Sequence, residues 1–229
     1  MVAVTQDFIA ETLAGSEPFR SLDTAILSDL AQGTRVRHFE AGEIVVHRGD
    51  RPAGMYLVAR GEVKLYLISN TGAERILRLA RAGDTFCEES ISGDMPQTLW
   101  VQTTAETVAL HVTERALQHA MASDTVLAQA LIRRMSSRIC ELIANMELCE
   151  QRNSAQRVAH YLVHNVDGTS DVIEVRLSSN KQTIASQLNM TPESFSRVLN
   201  RFTREGFILC RGRKAIRLTD LSGLQSLAA

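Results

Sequence analysis

The chain has 229 residues, of which 45% are hydrophobic, 22% charged and 5% aromatic, and its formal net charge is −1. This length is enough for two domains that each bury a core, and the composition is that of an ordinary globular protein. The charge is unevenly distributed: residues 151–229 carry eleven Lys or Arg against six Asp or Glu, and residues 1–150 are acidic. This asymmetry predicts an acidic module joined to a basic module that contacts phosphate.

Three classes of protein are not expected from the sequence. No apolar run reaches the ~18 residues that a membrane-spanning helix needs. The first residues, MVAVTQDFIAETLAG, lack the basic start and long apolar core of a signal peptide. The four cysteines show no C-x-x-C pair and no disulfide-like spacing; they are Cys87, Cys140, Cys149 and Cys210. We therefore expect a cytoplasmic protein with no membrane segment.

The first half of the chain predicts short helices followed by strands. Residues 8–31 contain two helical patterns, and β-rich runs separated by glycines extend from Thr34 to Val112. Short strands with regularly spaced glycine turns are typical of a barrel or roll. The Asn70-Thr71-Gly72 break predicts a hairpin between two of these strands.

Residues 113–150 have a helical pattern, and Thr113 or Ser123 is expected to cap a helix start. Within this segment apolar residues recur in steps of three and four, the spacing of a coiled-coil seam. The residues predicted to line a dimer interface are Ile132, Met135, Ile139, Leu142 and Met146. The repeat is short, and the alternative is a helix that packs on its own domain.

The last third of the chain predicts two helices around a tight turn, followed by a basic hairpin. Residues 180–207 read NKQTIASQLNMTPESFSRVLNRFTREGF, in which Thr191 suits an N-cap and Pro192 a first helical position. Phe195, Val198, Leu199 and Phe202 form the buried face of the second helix. The opposite face carries polar side chains, as in a helix that enters the major groove of DNA.

These segments resemble the Crp/Fnr superfamily of bacterial transcription regulators over nearly the whole chain. AGEIVVHRGDRPAGMYLVARGEVKLYLISNTGAERIL is similar to its cyclic-nucleotide-binding-type β-roll, and KQTIASQLNMTPESFSRVLNRFTREGFI to its helix-turn-helix. The resemblance implies an α+β protein with a sensor roll and N-terminal helices in residues 1–122, a dimerisation helix in 123–150 and a winged helix in 151–229. It also implies a homodimer that binds double-stranded DNA and acts, as an activator, with RNA polymerase.

The recognition helix has the pattern E-x-x-S-R, formed by Glu193, Ser196 and Arg197. This is similar to Fnr-like branches, which read inverted repeats of TTGAT-type half-sites, and differs from the Crp type. The alternative for Glu193 and Arg197 is a surface ion pair with no DNA role. Candidates for contacts with the DNA backbone are Lys181, Gln182, Thr183, Arg201, Arg211, Arg213 and Lys214.

The segment FCEESISGDMPQTLWV is similar to the effector-binding part of the roll. Glu88 matches the acid that contacts ribose in Crp-type members, Cys87 replaces a glycine, and Gln97 and Thr98 stand where Arg and Ser would be. Glutamine supplies neither the charge nor the two-pronged hydrogen bonding that a buried phosphate needs, so cyclic AMP binding is not expected. Whether Arg75, Arg78 or Arg81 takes over this role stays open.

An iron–sulfur cluster is not expected, because no cysteine precedes residue 87 and four ligands cannot be assembled near the N-terminus. The chain resembles the Dnr/Nnr-like branch, which is associated with nitric oxide response in denitrification and with haem as a proposed sensor. The available axial ligands are His38, His47, His111, His119, His160 and His164. Cys87 is either a thiol sensor, a haem thiolate or a small buried thiol. A cyclic-nucleotide-responsive regulator and an effector-independent regulator are the alternatives.

Overall fold

The structure is a computed structural model that describes residues 5–69, 72, 74–93, 95–151, 153–166, 173–177, 179–212 and 215–228. The chain divides into two compact units, residues 1–71 with 77–140 and residues 72–76 with 141–229. The predicted α+β class is confirmed, with a β-roll, a long helix and a C-terminal winged helix in that order. The predicted hairpin at Asn70 and Thr71 lies outside the described residues.

The roll consists of two four-stranded sheets. The strands are β1 (Thr34–Phe39), β2 (Ile44–Val46), β3 (Gly54–Arg60), β4 (Glu62–Ile68), β5 (Glu74–Arg81), β6 (Thr85–Phe86), β7 (Trp100–Thr103) and β8 (Thr107–Thr113). The sheet orders are β1-β8-β3-β6 and β2-β7-β4-β5. Gly61 joins β3 to β4 with a φ of +96°, and a Cβ there would lie 2.5 Å from the carbonyl oxygen of Glu106. This turn therefore needs glycine.

Apolar residues of both sheets fill the space between them, including Val58, Val63, Phe86 and Val101. The other face of β3 and β8 is covered by helices, through Met55, Leu57, Leu110 and Val112 and their helical neighbours. The helices of this unit are α1 (Gln6–Ala14), α2 (Thr24–Gln32), a 3-10 helix (Glu88–Ser92), α3 (Glu114–Ser123) and the start of α4 (Thr125–Gln151). The roll thus has a second hydrophobic core under its helices.

The hydrogen bonds at the starts of α3 and α4 show which of the two predicted capping residues caps a helix. The hydroxyl of Thr113 accepts a hydrogen bond from the Ala116 backbone, so this predicted cap is confirmed. The Ser123 hydroxyl instead donates to the carbonyl of His119 inside α3, and the prediction for Ser123 was wrong. Asp124 takes its place, because its carboxylate is one residue closer to α4 and accepts from the Val126 N–H at 2.9 Å.

The second unit is a small helical bundle with a three-stranded sheet. Its elements are α5 (Ser154–His164), β9 (Glu174–Arg176), α6 (Lys181–Gln187), α7 (Pro192–Arg204), β10 (Ile208–Arg211), β11 (Ala215–Leu218) and α8 (Leu221–Ala228). The sheet is antiparallel in the order β10-β11-β9. Helix α8, which the sequence analysis did not predict, closes the core with Leu224 and Ala228. In the described part of the chain, no helix is both long enough and apolar enough to cross a membrane.

Candidate nucleic-acid interface and sensor pocket

The two helices of the helix-turn-helix begin at residues whose side chains satisfy free backbone N–H groups. The Asn180 side chain accepts from the Thr183 N–H at 2.8 Å and caps α6. The Thr191 hydroxyl accepts from the Ser194 N–H at 3.2 Å and caps α7, whose first residue is Pro192. An N-cap of this type contributes about 1 kcal/mol. The start of the recognition helix, where the base-reading residues lie, is therefore fixed locally.

The turn between α6 and α7 is held from behind by α5. Asn189 has a φ of +53° in this turn, a conformation that asparagine tolerates better than most residues. The Arg157 guanidinium on α5 donates to the carbonyls of Leu188, at 2.9 Å, and Asn189, at 3.4 Å. Arg157 thus orients the turn and, with it, the start of α7. No local sequence pattern indicates this role, because Arg157 is 31 and 32 residues away from Leu188 and Asn189.

Helix α7 presents two different faces. Phe195, Leu199 and Phe202 are fully buried in the core of the second unit. Glu193 and Arg197 are exposed and Ser196 is partly exposed. The hydrogen bond to its own backbone N–H, and then that from Thr191, lower the pKa of the Glu193 carboxyl, so this group is charged at neutral pH. The predicted trio is therefore free to contact a partner.

The residues predicted for the DNA backbone differ in how accessible they are. Lys181 and Gln182 at the start of α6 are exposed, as is Arg211 at the end of β10, whereas Thr183 is only 7% exposed. Arg201 forms an ion pair with Glu205 at 2.8 Å on the surface of α7. Arg213 and Lys214 lie outside the described residues. Lys181, Gln182 and Arg211 are thus the best placed of the set, and Arg201 has a competing partner.

Helix α4 also has two faces. Leu127 and Leu131 are buried against the roll and its helices. Of the predicted dimer residues, Ile132, Ile139 and Leu142 are 64%, 58% and 46% exposed, Met135 is partly exposed, and the side chain of Met146 is outside the described set. Ile143, which the heptad pattern missed, is 52% exposed. A row of exposed large apolar residues of this kind marks an interaction surface.

Three of the four residues predicted for the effector pocket, Cys87, Glu88 and Gln97, are buried and bonded to side chains of the same chain. Cys87 is fully buried, and its thiol sulfur accepts a hydrogen bond from Gln97 Nε2 at 2.9 Å. The Gln97 amide oxygen accepts hydrogen bonds from the backbone N–H groups of the next two residues. Thr98, the fourth residue predicted for the pocket, is exposed and contributes only its backbone N–H. Gln97 is therefore held against Cys87 through one amide N–H and held to the backbone through its amide oxygen.

The acid of this pocket is paired with an arginine from α4. Arg138 Nη1 and Glu88 Oε1 form a close ion pair, and their side chains are only 15% and 9% exposed. Arg138 also donates to the carbonyl of Thr85 at 2.7 Å, and the Thr85 hydroxyl donates to Glu88 at 2.5 Å. Arg78 donates to the same Thr85 carbonyl. Arg78, one of the three arginines left open above, thus reaches the pocket, together with an arginine that the sequence analysis did not consider.

The charges in this cluster shift one another. Burial by itself raises the pKa of the Glu88 carboxyl, but the charge and hydrogen bond of Arg138, followed by the charge of Arg78, lower the pKa below that of an ordinary glutamate. Burial, and then repulsion from Arg138, lower the pKa of Arg78. Burial raises the pKa of the Cys87 thiol well above its usual value, and the charge of Glu89 adds to this shift. Glu88 is therefore a carboxylate, and Cys87 is an unreactive thiol at neutral pH.

These surroundings do not fit a haem beside Cys87. The guanidinium groups of Arg138 and Arg78 converge close to Glu88, the residue next to Cys87, and such charged groups are unlike the apolar lining of a haem pocket. Among the histidines, His47 lies 3.3 Å from Asp50, and His160 and His164 stack with ring centroids 3.9 Å apart. In the part of the chain that is described, no three His, Cys, Asp or Glu residues form a group that could hold a metal ion.

The chain is similar to known regulators in both units. Residues 36–124 match the family of cyclic nucleotide-binding domains, and residues 156–227 match that of Crp-like helix-turn-helix domains. It is 27% identical over 198 residues to the anaerobic regulatory protein of Haemophilus influenzae, covering 84% of this chain and 76% of the relative. It is 26% identical over 201 residues to the fumarate and nitrate reduction regulatory protein of Escherichia coli, covering 85% and 78%.

Similarity to solved structures supports the same fold. A CooA variant from Carboxydothermus hydrogenoformans superposes with a TM-score of 0.77 at 20% identity, over 94% of each chain. The match to cyclic nucleotide-binding domains covers the roll, and the match to Crp-like helix-turn-helix domains covers α5 to α8. The chain belongs to the Crp/Fnr family of DNA-binding transcription regulators, and it is a regulator rather than an enzyme.

Proposed function

We propose that this regulator binds, as a homodimer, an inverted repeat of TTGAT-type half-sites, with Glu193, Ser196 and Arg197 reading the bases. The observation that carries the proposal is the division of α7 into a buried aromatic face and an exposed polar face. A buried face fixes the angle of the helix, so that the exposed side chains reach the same base edges in every complex. The TTGAT sequence itself rests on the resemblance of E-x-x-S-R to Fnr-like recognition helices.

The chemistry of the trio suits such a half-site. An arginine guanidinium binds O6 and N7 of guanine with two hydrogen bonds, a glutamate accepts from N4 of cytosine, and a serine hydroxyl contacts thymine or other bases. Each good two-pronged contact discriminates against the wrong base by about 1–3 kcal/mol. Lys181, Gln182 and Arg211 add contacts to phosphate, which strengthen binding to all sequences alike.

The exposed row on α4 supports the proposed dimer. Ile132, Ile139, Leu142 and Ile143 expose large apolar side chains to water, and a second copy of the same helix would cover them. Two-fold symmetry would then place two recognition helices about 34 Å apart, one turn of DNA, which explains an inverted repeat. We include the cytoplasm, RNA polymerase as a partner and an activating role in the proposal, on the resemblance alone.

The test compares Arg197→Ala with Lys181→Ala by fluorescence anisotropy at fixed salt, on duplexes in which single half-site positions are changed. Arg197→Ala is expected to lose discrimination at one guanine by about 1–3 kcal/mol. Lys181→Ala, an equal change in charge, is expected to weaken all duplexes similarly and to reduce the salt dependence by about one counterion. Equal losses on every duplex for both variants would contradict the assignment of α7 as the base-reading helix.

The input of the regulator is the second part of the proposal. Sequence resemblance suggested a small effector, with nitric oxide sensed through haem, and left regulation without an effector as an alternative. The pairing of Glu88 with Arg138 favours the second, because the pocket acid already has a cationic partner from the same chain. The absorption spectrum of the purified protein distinguishes the two: a stoichiometric Soret band that shifts with nitric oxide would support the haem sensor.

A further inference from the structure

Two arginines of α4, four residues apart, connect this helix to the segment that leads into the pocket. Arg134 forms an ion pair with Asp84, and Arg138 forms one with Glu88. Residues four apart lie on the same side of a helix, so both pairs act on one face. The same face carries Leu127 and Leu131, which are buried one and two turns earlier. Apolar burial therefore gives way, along α4, to a pair of ionic contacts.

These contacts fix the rotation of α4 about its own axis. Ile139 directly follows Arg138 in the chain and is 58% exposed, and Ile132 is 64% exposed on the same outward side. A helix turns by about 100° per residue, so a rotation of α4 that separated Arg138 from Glu88 would turn both isoleucines away from the outward side. The Arg138 guanidinium, together with the buried Leu127 and Leu131 on the same face, thus sets the direction of the apolar row.

Arg138 makes several polar contacts in this position. It pairs with the Glu88 carboxylate and donates to the Thr85 carbonyl, which also accepts from Arg78. Planar guanidinium groups suit such multiple contacts, and a lysine would not reproduce them. The Glu88 carboxylate is further held by the Thr85 hydroxyl. Because both ionic partners are almost fully buried, water does not easily replace either of them.

We propose that Arg138 does for this chain what a bound effector does in a ligand-dependent regulator: it anchors α4 to the pocket, so that the protein dimerises and binds DNA without a small ligand. The inference rests on the proposed function and names the regulation of that site. Arg138 is a positioning residue, since it acts on the interface and on DNA through α4. In this form, regulation comes from the amount of protein rather than from a signal molecule.

The experiment uses full-length protein that has been unfolded and refolded to remove small molecules. Arg138→Ala is compared with Arg133→Ala, which removes the same charge from an exposed position of α4 five residues earlier. Dimer dissociation is measured by analytical ultracentrifugation, and DNA affinity on a duplex that the wild type selects from random sequences. We expect Arg138→Ala to weaken both by about 5- to 150-fold, a usual range for coupled sites, and Arg133→Ala to weaken neither beyond twofold.

Chemical rescue distinguishes loss of the contact between Arg138 and Glu88 from a general loss of structure. Ethylguanidinium chloride is expected to restore dimerisation and DNA binding to Arg138→Ala, because it supplies the missing group to Glu88. It should restore nothing when Glu88→Gln is added to the same chain. Sodium chloride at equal ionic strength is the control, since salt weakens DNA binding. Rescue would turn a ligand-independent regulator into one that depends on a guanidinium compound.

Each other outcome has a defined meaning. If Arg138→Ala does not fold, the combination of Glu88→Leu, Arg78→Met and Arg138→Met replaces the buried charges by apolar contacts, which proteins often tolerate. This triple variant is expected to dimerise as the wild type does, and loss of its dimer in a folded protein would overturn the proposal. So would a refolded wild type that dimerises only after a ligand is added, or an Arg138→Ala protein that behaves as the wild type. A wild type that dimerises but selects no duplex would instead refute the proposed function.

Discussion

The recognition helix and the sensor pocket both contain a glutamate and an arginine, but the two sites use the same chemistry in opposite ways. Glu193 and Arg197 lie on the outer face of α7, where water solvates both groups. Glu88 of the roll and Arg138 of α4 have side chains that are 9% and 15% exposed, and each is bound by the other. Charges that remain in water are available to a partner molecule, whereas charges that are buried together are already used inside the protein.

The cost of removing one charge differs accordingly. In water, the partner of a deleted charge regains its hydration, so the folded state loses little. In the pocket, the remaining charge stays buried without a partner, and its desolvation is no longer compensated. The same substitution is therefore mild in one unit and severe in the other, and this difference can be measured.

The largest expected effect is on stability. Glu88→Gln leaves the Arg138 and Arg78 guanidinium groups without their carboxylate, and we expect the free energy of unfolding of the sensor unit to fall by about 3–5 kcal/mol. Glu193→Gln, the same change on α7, should leave the urea midpoint unchanged within error, because Glu193 is fully exposed. Urea unfolding followed by circular dichroism compares the two. A mild effect of Glu88→Gln would show that the pocket pair is hydrated.

Acid titration provides the control. The pKa of Glu88 is lowered in the folded protein, so its stabilising contribution is complete above the ordinary carboxyl pKa and is lost as the pH falls through the lowered value. Part of the acid destabilisation of the wild type should therefore be missing from Glu88→Gln, which has no proton to take up. Parallel pH profiles for the two proteins would contradict the ion pair.

The sequence predicted the recognition helix well because its signals are local. Thr191, Pro192 and the buried aromatic residues lie within one short segment, and helical spacing alone separates its two faces. The partner of Glu88 was missed because Arg138 lies 50 residues further along the chain, and no local pattern connects them. The sequence holds a weak signal of this contact on a second stripe of α4, beside the predicted dimer seam. The residues that recur there at helical spacing are Leu127, Leu131, Arg134 and Arg138.

Cys87 shows a further limit of sequence reasoning and gives a smaller prediction. Its φ of +63° lies in the left-handed region, so the position favours the glycine that the resemblance suggested, yet the side chain is buried. Sequence alone could report the replacement but not the backbone conformation. Cys87→Ala and Cys87→Gly both remove the thiol and its bond to Gln97, so their difference isolates the backbone. We expect the glycine variant to be more stable by about 1 kcal/mol in urea unfolding, and equal stability would contradict the left-handed conformation.

A smaller effect on stability than at Cys87 is expected at the end of α7, where the charge of an exposed arginine is partly neutralised by a neighbouring carboxylate. Arg201 pairs with Glu205 at 2.8 Å, with side chains that are 54% and 37% exposed. Glu205→Gln should change the free energy of unfolding by only about 0.3–0.5 kcal/mol, as for other exposed pairs four residues apart on a helix. If Arg201 contacts phosphate, the same substitution releases its guanidinium and strengthens binding to every duplex.

A double-mutant cycle decides whether this gain passes through Arg201. Removing a carboxylate near DNA raises affinity by itself, so Glu205→Gln is measured in the wild type and in Arg201→Ala, at two salt concentrations. An equal gain in both backgrounds would be the general effect of charge and would remove Arg201 from the phosphate contacts. A larger gain in the wild type means that Glu205 restrains Arg201. In both units, a carboxylate of the same chain would then restrain an arginine, weakly at the exposed pair and strongly at the buried one.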